Sequence, residues 1–462
     1  PTRRSSDLGD GNMVKVNINE GTVLGTSDGD IDTFLGIPYA QSFNSKTRFQ
    51  HSQLYNIVDE MIDAKKAKPI PPQPYNSLED FFSNGVQTFE TFKQDENCLY
   101  LNIWRASNTQ NLKPVVIYFY GGGFTQGHGT ADLYNPYHLV EQEDTIVITF
   151  NYRLGALGYL DWSYFNNHYD YNNGMSDQIN LLKWVHHHIA YFGGNPQNIT
   201  LIGQSAGSMS IMALMQIPEL DQYYHKVMLL SGTLHSDSPL TANKKAQQFE
   251  SLVHKHYPDK SIESLTSNEI LDLMRLHKVE RGPSRSLDLI YQPIQSPEMT
   301  RSVTAFSKPV FVGFTNSEGD IYIENDSRKL SPLRFKEIMR LFDIPILEEV
   351  QSAQQQREVI TTSYFKNMAL NFLQSTHSQH KWLARFDWCK PKSIHFKSAY
   401  HILDMIFWFG NLNILSANNY HYTQSDIQLS HDMMADLGHF VRYNRMPWSK
   451  YHEDTEYFHI YK

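Results

Sequence analysis

Cysteine is the scarcest reactive side chain in this chain: Cys98 and Cys389 are the only two in 462 residues. Two thiols so far apart cannot make a disulfide framework, and neither sits in a C-x-x-C pair. Reduced thiols in a cytoplasmic protein are therefore the expectation. Clustered positive charge is missing as well. Lys and Arg number 40 against 49 Asp and Glu, a net charge of −9, which argues against a nucleic-acid partner. No apolar run reaches about 18 residues, so no membrane span is expected. Nor does a linker rich in Pro, Gly or Ser divide the chain. Length alone suggests several domains, but the reading is one domain over 13–462, with a polar, basic leader at 1–12 that fits no later pattern. Hydrophobic residues make up 40%, enough for a large core.

What is present is an alternation of strand and helix patterns. Residues 22–26 and 32–39 alternate apolar and polar around Ser27-Asp28-Gly29-Asp30, a hairpin signal. Strands are expected at 99–104, 115–120, 145–150, 226–230 and 309–314. The run at 115–120 is nearly all apolar, as a strand covered on both faces should be. Ile179, Leu182, Val185 and Ile189 recur at helical spacing within 175–192, and 426–442 reads as a closing amphipathic helix. The pattern predicts an α/β fold: a large, mostly parallel sheet with antiparallel N-terminal strands and helices on both faces. Two helical stretches, about 241–291 and 331–387, read as insertions over the site.

The chain is organised around 198–211. Ile199, Thr200, Leu201 and Ile202 suit a buried strand, Gly203-Gln204-Ser205-Ala206-Gly207 breaks it, and a helix follows until Pro218. Strand, G-x-S-x-G, helix is the context of a nucleophile elbow, with the serine at the apex of a strained turn. A neutral hydroxyl needs a base, and the base needs an orienting acid, placed in the chain order Ser, Asp or Glu, His. Glu318, in a Glu-Gly step after a strand, and His401, in a later loop, follow Ser205 in that order.

Beyond the elbow, the chain carries Phe34-Leu35-Gly36-Ile37-Pro38-Tyr39-Ala40, Glu96-Asn97-Cys98-Leu99-Tyr100-Leu101-Asn102-Ile103-Trp104, Tyr120-Gly121-Gly122-Gly123-Phe124, Asn151-Tyr152-Arg153 and Phe192-Gly193-Gly194-Asn195-Pro196. Together these resemble the type-B carboxylesterase family of α/β-hydrolases, which includes the cholinesterases, from about Gly21 to the C-terminus. The resemblance implies the α/β-hydrolase fold and a serine carboxylesterase with the triad Ser205, Glu318 and His401. It implies an oxyanion hole from the N–H groups of Gly122, Gly123 and Ala206, and structural ion pairs Arg48–Glu96 and Arg153–Asp177. Ser231 maps to a serine that hydrogen-bonds near the triad. No metal or organic cofactor is implied; the partner is a small ester, and the protein a monomer or weak homo-oligomer. Amide or carbamate hydrolysis on the same triad is the near alternative, and a non-catalytic esterase-like binding protein the distant one.

This chain also departs from the family. Gln204 stands where a glutamate is usual, which removes a negative charge beside the imidazolium formed during attack. The secreted relatives close a disulfide at the position of Cys98; 65–75 holds no partner, so Cys98 is expected as a free, partly buried thiol. No tryptophan lies between Tyr75 and Glu96, so a choline ester is not the expected substrate. His186-His187-His188 point to different helix faces and lack H-E-x-x-H, so no metal site is read there. Phe407, Trp408 and Phe409 suit a substrate pocket and the core equally, and Asp404 suits a buttress of the His401 loop.

Overall fold

The hydrophobic runs become strands of one sheet. The computed structural model describes residues 12–462 apart from 86, 109, 233, 349 and 456, so all but the last residue of the leader read at 1–12 falls outside the described residues. The strands are β1 (Met13–Ile18), β2 (Gly21–Ser27), β3 (Ile31–Pro38), β4 (Met61–Asp63), β5 (Tyr100–Ala106) and β6 (Lys113–Phe119). They continue with β7 (Ile146–Phe150), β8 (Gly194–Gln204), β9 (Lys226–Leu230), β10 (Val310–Thr315), β11 (Lys381–Phe386) and β12 (His459–Tyr461). Their order is β1-β2-β3-β5-β7-β6-β8-β9-β10-β11-β12, with β4 beside β2. Pairing is antiparallel from β1 to β7 along that path and parallel from β7 onward. The 22–39 hairpin is present, with Thr26 opposite Thr33 and Ser27 opposite Asp32.

Every residue of β7, β9 and β10 is buried, because helices cover both faces of the parallel half. The helix Ala206–Met215 is buried along its full length for the same reason. β6, β8 and β10 all end on one edge of the sheet. Gly122, Ser205 and Glu318 lie just past those ends, where a parallel α/β sheet opens its ligand crevice.

The two stretches read as helical differ. Residues 241–291 carry the helices Pro239–His256 and Ser267–Arg281. Within 331–387 the chain is helical only as far as Ser375; 381–386 is β11, parallel to β10 with Val310 opposite Lys381. Trp382, Leu383 and Ala384 form a short apolar run, and periodicity cannot tell such a run in a buried strand from a helix. The helices before it keep a small apolar cluster of their own, around Phe335, Ile338, Met339 and Ile360. No helix among the described residues is long and apolar enough to cross a membrane.

Candidate active site

Ser205 follows directly on β8 and caps the helix Ala206–Met215 with φ 58° and ψ −120°, a conformation that a non-glycine residue holds only under constraint. The constraint comes from both sides. Its N–H donates to Leu230 O at 2.8 Å, and its carbonyl accepts from Met209 N–H at 3.0 Å. Gly207 lets helix and sheet meet this closely, since a Cβ there would lie 1.9 Å from Phe119 O.

Glu318 sits three residues past β10 and is fully buried. Its Oε2 accepts from Thr315 N–H at 2.9 Å, and its Oε1 lies 2.7 Å from His401 Nδ1. A carboxylate there makes Nδ1 the protonated ring nitrogen and leaves the Nε2 lone pair facing the cavity. The loop holding His401 turns sharply at Ile402, whose φ of 81° is a strained value for a β-branched residue. Aromatic rings clamp the imidazole: Phe365 at 5.1 Å and Tyr322 at 5.4 Å between centroids. Phe365 lies in a π-helical segment, Ile360–Lys366, a local irregularity that aims it at the site.

Ser205, His401, Gln204, Gly122, Gly123 and Ala206 line one cavity of about 640 Å³. Gly122 turns with φ 128°, and a Cβ there would strike Gln126 O at 2.2 Å, so only glycine fits this turn. The N–H groups of Gly122, Gly123 and Ala206 have no partner among the described residues. The Ser267–Arg281 helix supplies Met274 and Lys278 to the wall, and Tyr364 and Phe365 close it from the second helical stretch.

The remaining residues singled out by sequence divide. Gln204 Nε2 lies 3.3 Å from His401 Nε2, so the amide donates to the very lone pair a serine proton would seek. Ser231 is buried on the cavity wall with φ 51°, yet its hydroxyl has no hydrogen-bond partner among the described residues, so the contact implied for it is not formed there. Its peptide N–H is spent on Gly313 O at 2.8 Å. Arg48 and Glu96 form a two-pronged pair at 2.9 and 2.6 Å. Arg153 and Asp177 form another, both contacts at 2.9 Å, almost wholly buried. Neither pair touches the cavity.

Phe407, Trp408 and Phe409 belong to the core, where they pack on Trp388, Phe311 and Tyr118 respectively. Burial, with the Glu318 charge adding to it, lifts the Asp404 carboxyl to about 7, and Trp408 Nε1 donates to it at 3.3 Å. Cys98 is fully buried, not partly, and burial pushes its thiol well above the usual range. Among the described residues no group of three or more His, Cys, Asp or Glu could hold a metal ion. Tyr322 escaped the sequence reading. Its signal was its place, one helical turn after Glu318.

The model of the family described as "Carboxylesterase family" matches residues 12–341. The para-nitrobenzyl esterase of Bacillus subtilis (strain 168) is 30% identical over 461 residues, covering 94% of this chain and 92% of that protein. The juvenile hormone esterase of Heliothis virescens is 28% identical over 323 residues, 63% of this chain and 54% of its own. Among solved structures, a PNB esterase superposes with a TM-score of 0.86 at 27% identity, covering 97% of this chain and 95% of that one. A thermophilic PNB esterase gives 0.85 at 28% identity, covering 95% and 94%.

Proposed function

This chain belongs to the carboxylesterase family and is a carboxylic ester hydrolase of the serine type, and on that premise we propose that Ser205, His401 and Glu318 carry the reaction. His401 Nε2 takes the Ser205 proton as Oγ bonds to the ester carbonyl carbon. The N–H groups of Gly122, Gly123 and Ala206 receive the developing oxyanion, each such donor being worth roughly 2.7–4 kcal/mol. His401 then protonates the departing alcohol. Water, activated by the same imidazole, releases the acid from Ser205. Glu318 holds the tautomer and stabilises the imidazolium. The observation that carries this reading is the 2.7 Å Glu318–His401 contact beside a strained serine in one cavity.

The test is the pH dependence of acylation. The rate is expected to rise with pH as His401 loses its proton, because only the neutral ring accepts one. Gln204→Glu places a carboxylate beside Nε2 and favours the charged ring, so the acidic limb should move to higher pH by about one unit. A rate that does not change with pH in the unaltered protein excludes a titrating base.

A cytoplasmic location is part of the proposal, supported by two thiols that are free in the fold. Titration of denatured protein without reductant is expected to count both; a count of zero contradicts a reducing compartment.

A further inference from the structure

The helix Ser267–Arg281 turns one face to the cavity that holds Ser205: Leu271, Met274, Arg275 and Lys278, at i, i+3, i+4 and i+7. Leu271 and Met274 give that face an apolar part, while Arg275 and Lys278 stand exposed at the mouth. Two more cations line the same space, Arg285 from the loop after this helix and Arg328 from the segment after the turn Glu318–Ile321. These two are fixed side by side, since Arg285 Nε donates to Arg328 O at 2.5 Å. Arg334 braces the same junction, its Nε donating to Pro283 O at 2.8 Å. Arg285 and Ser286 both hold positive φ, 50° and 64°, a strain the fold bears to keep this loop on the cavity.

The acids of the same wall are mostly engaged elsewhere. Asp288 grips Arg281 in a two-pronged pair at 2.8 and 3.0 Å, and Glu79 lies 2.7 Å from His128 Nε2. Arg275 has Asp272 at 2.7 Å. Lys278, Arg285 and Arg328 make no ion pair among the described residues, and Glu324 is the one unpaired carboxylate that faces them across the cavity lining. In a chain of net charge −9 the mouth is thus locally positive. We infer that the ester cleaved here carries a carboxylate remote from the scissile bond, held by Lys278, Arg285 and Arg328 while the ester group lies at Ser205. The inference rests on the esterase reading of this cavity and names its substrate class. A neutral ester leaves like charges facing one another unpaired; a bound carboxylate relieves that repulsion and gives each cation an acceptor. The contact is remote from the reacting atoms and equal in ground and transition states, so it lowers KM and leaves kcat to the triad.

Two pairs of aryl esters test it, each a carboxylate-bearing ester beside its neutral counterpart. The acyl arm sets mono-para-nitrophenyl adipate against para-nitrophenyl hexanoate; the alcohol arm sets para-carboxyphenyl acetate against para-acetylphenyl acetate. In at least one arm the kcat/KM ratio, anionic over neutral, is expected to exceed the ratio of hydroxide-catalysed rates by on the order of tenfold. The arm that shows it tells which side of the ester bears the charge. Lys278→Gln with Arg328→Gln should lower that ratio by roughly five- to tenfold, through a higher KM for the anionic ester. Arg285 is kept, because its Nε holds the rim together. Raising ionic strength from about 0.02 to about 0.5 M should shrink the ratio in the unaltered protein too. A ratio at parity in both arms, or one unmoved by the double variant or by salt, overturns the inference. A double variant inactive on both esters is replaced by Arg328→Gln alone, judged by the same ratio. If Ser205→Ala still cleaves the neutral ester undiminished, the esterase reading falls. If cleavage needs Ser205 and the ratio stays at parity, only the present inference does.

Discussion

Ser205→Ala is expected to lower ester turnover by roughly six decades, the scale at which serine hydrolases lose activity when the nucleophile is removed. The reason is geometric. The elbow holds a single side chain at its apex, with φ 58° and ψ −120°, and the helix behind it presents Ala206 and Gly207, which have no nucleophilic atom. Without an Oγ there is no acyl-enzyme. On the proposed mechanism, what should survive is the polarising pull of the Gly122, Gly123 and Ala206 N–H groups on a bound ester, worth about three to four decades over water. Alanine adopts the same backbone angles at the same strain, so stability should barely change. That separates lost chemistry from lost fold. The measurement is turnover of a chromogenic ester by protein free of host esterases; a variant retaining a tenth of the activity refutes the mechanism.

Asp177→Ala is expected to destabilise the fold by about 3–5 kcal/mol, because it strands a buried guanidinium. Arg153 is 2% exposed and Asp177 is inaccessible. One carboxylate oxygen accepts from Arg153 N–H and Nε, at 3.0 and 2.9 Å, and the other from a terminal nitrogen at 2.9 Å. The same guanidinium reaches Gln50 O at 2.8 Å and Asn173 O at 3.2 Å, and it covers the Phe43 ring at 4.3 Å. It therefore ties the segment after β7 to the loop after β3 and to the helix Asn173–His188. Removing the acid leaves these carbonyls but no countercharge. The pair of Arg334 with the exposed Glu337 is the control, where loss of the acid should cost at most about 1 kcal/mol. Denaturant midpoints at constant slope give both numbers. A change under about 1 kcal/mol for Asp177→Ala contradicts the buried-charge argument.

Most of the parallel sheet was legible because strands covered on both faces write continuous apolar runs. The segments at 115–120, 145–150, 226–230 and 309–314 each lie within a residue or two of β6, β7, β9 and β10. β12 was not legible: His459–Tyr461 is three residues long and exists only because β11 offers it a hydrogen-bonding edge. β11 itself was hidden by the helices that precede it. β1 could have been read from Val14, Val16 and Ile18 alternating with Lys15 and Asn17, but such a pattern is decisive only once β2 is beside it.

The sequence by itself determined the elbow, because strand, tight turn and helix within about ten residues leave one serine at the apex. It also pointed to Glu318 and His401 as the two partners that follow Ser205 along the chain. Only the tertiary structure decided which groups meet them: the Gln204 amide at His401 Nε2, the Tyr322 ring against His401, and a Ser231 hydroxyl without a partner among the described residues. It likewise sent Phe407, Trp408 and Phe409 to the core and built the cavity wall from two distant helical stretches. Local propensity acts over a few residues, whereas these contacts depend on how helices far apart in the chain settle against one sheet edge. There packing density and the pairing of buried polar atoms decide distances to a fraction of an ångström.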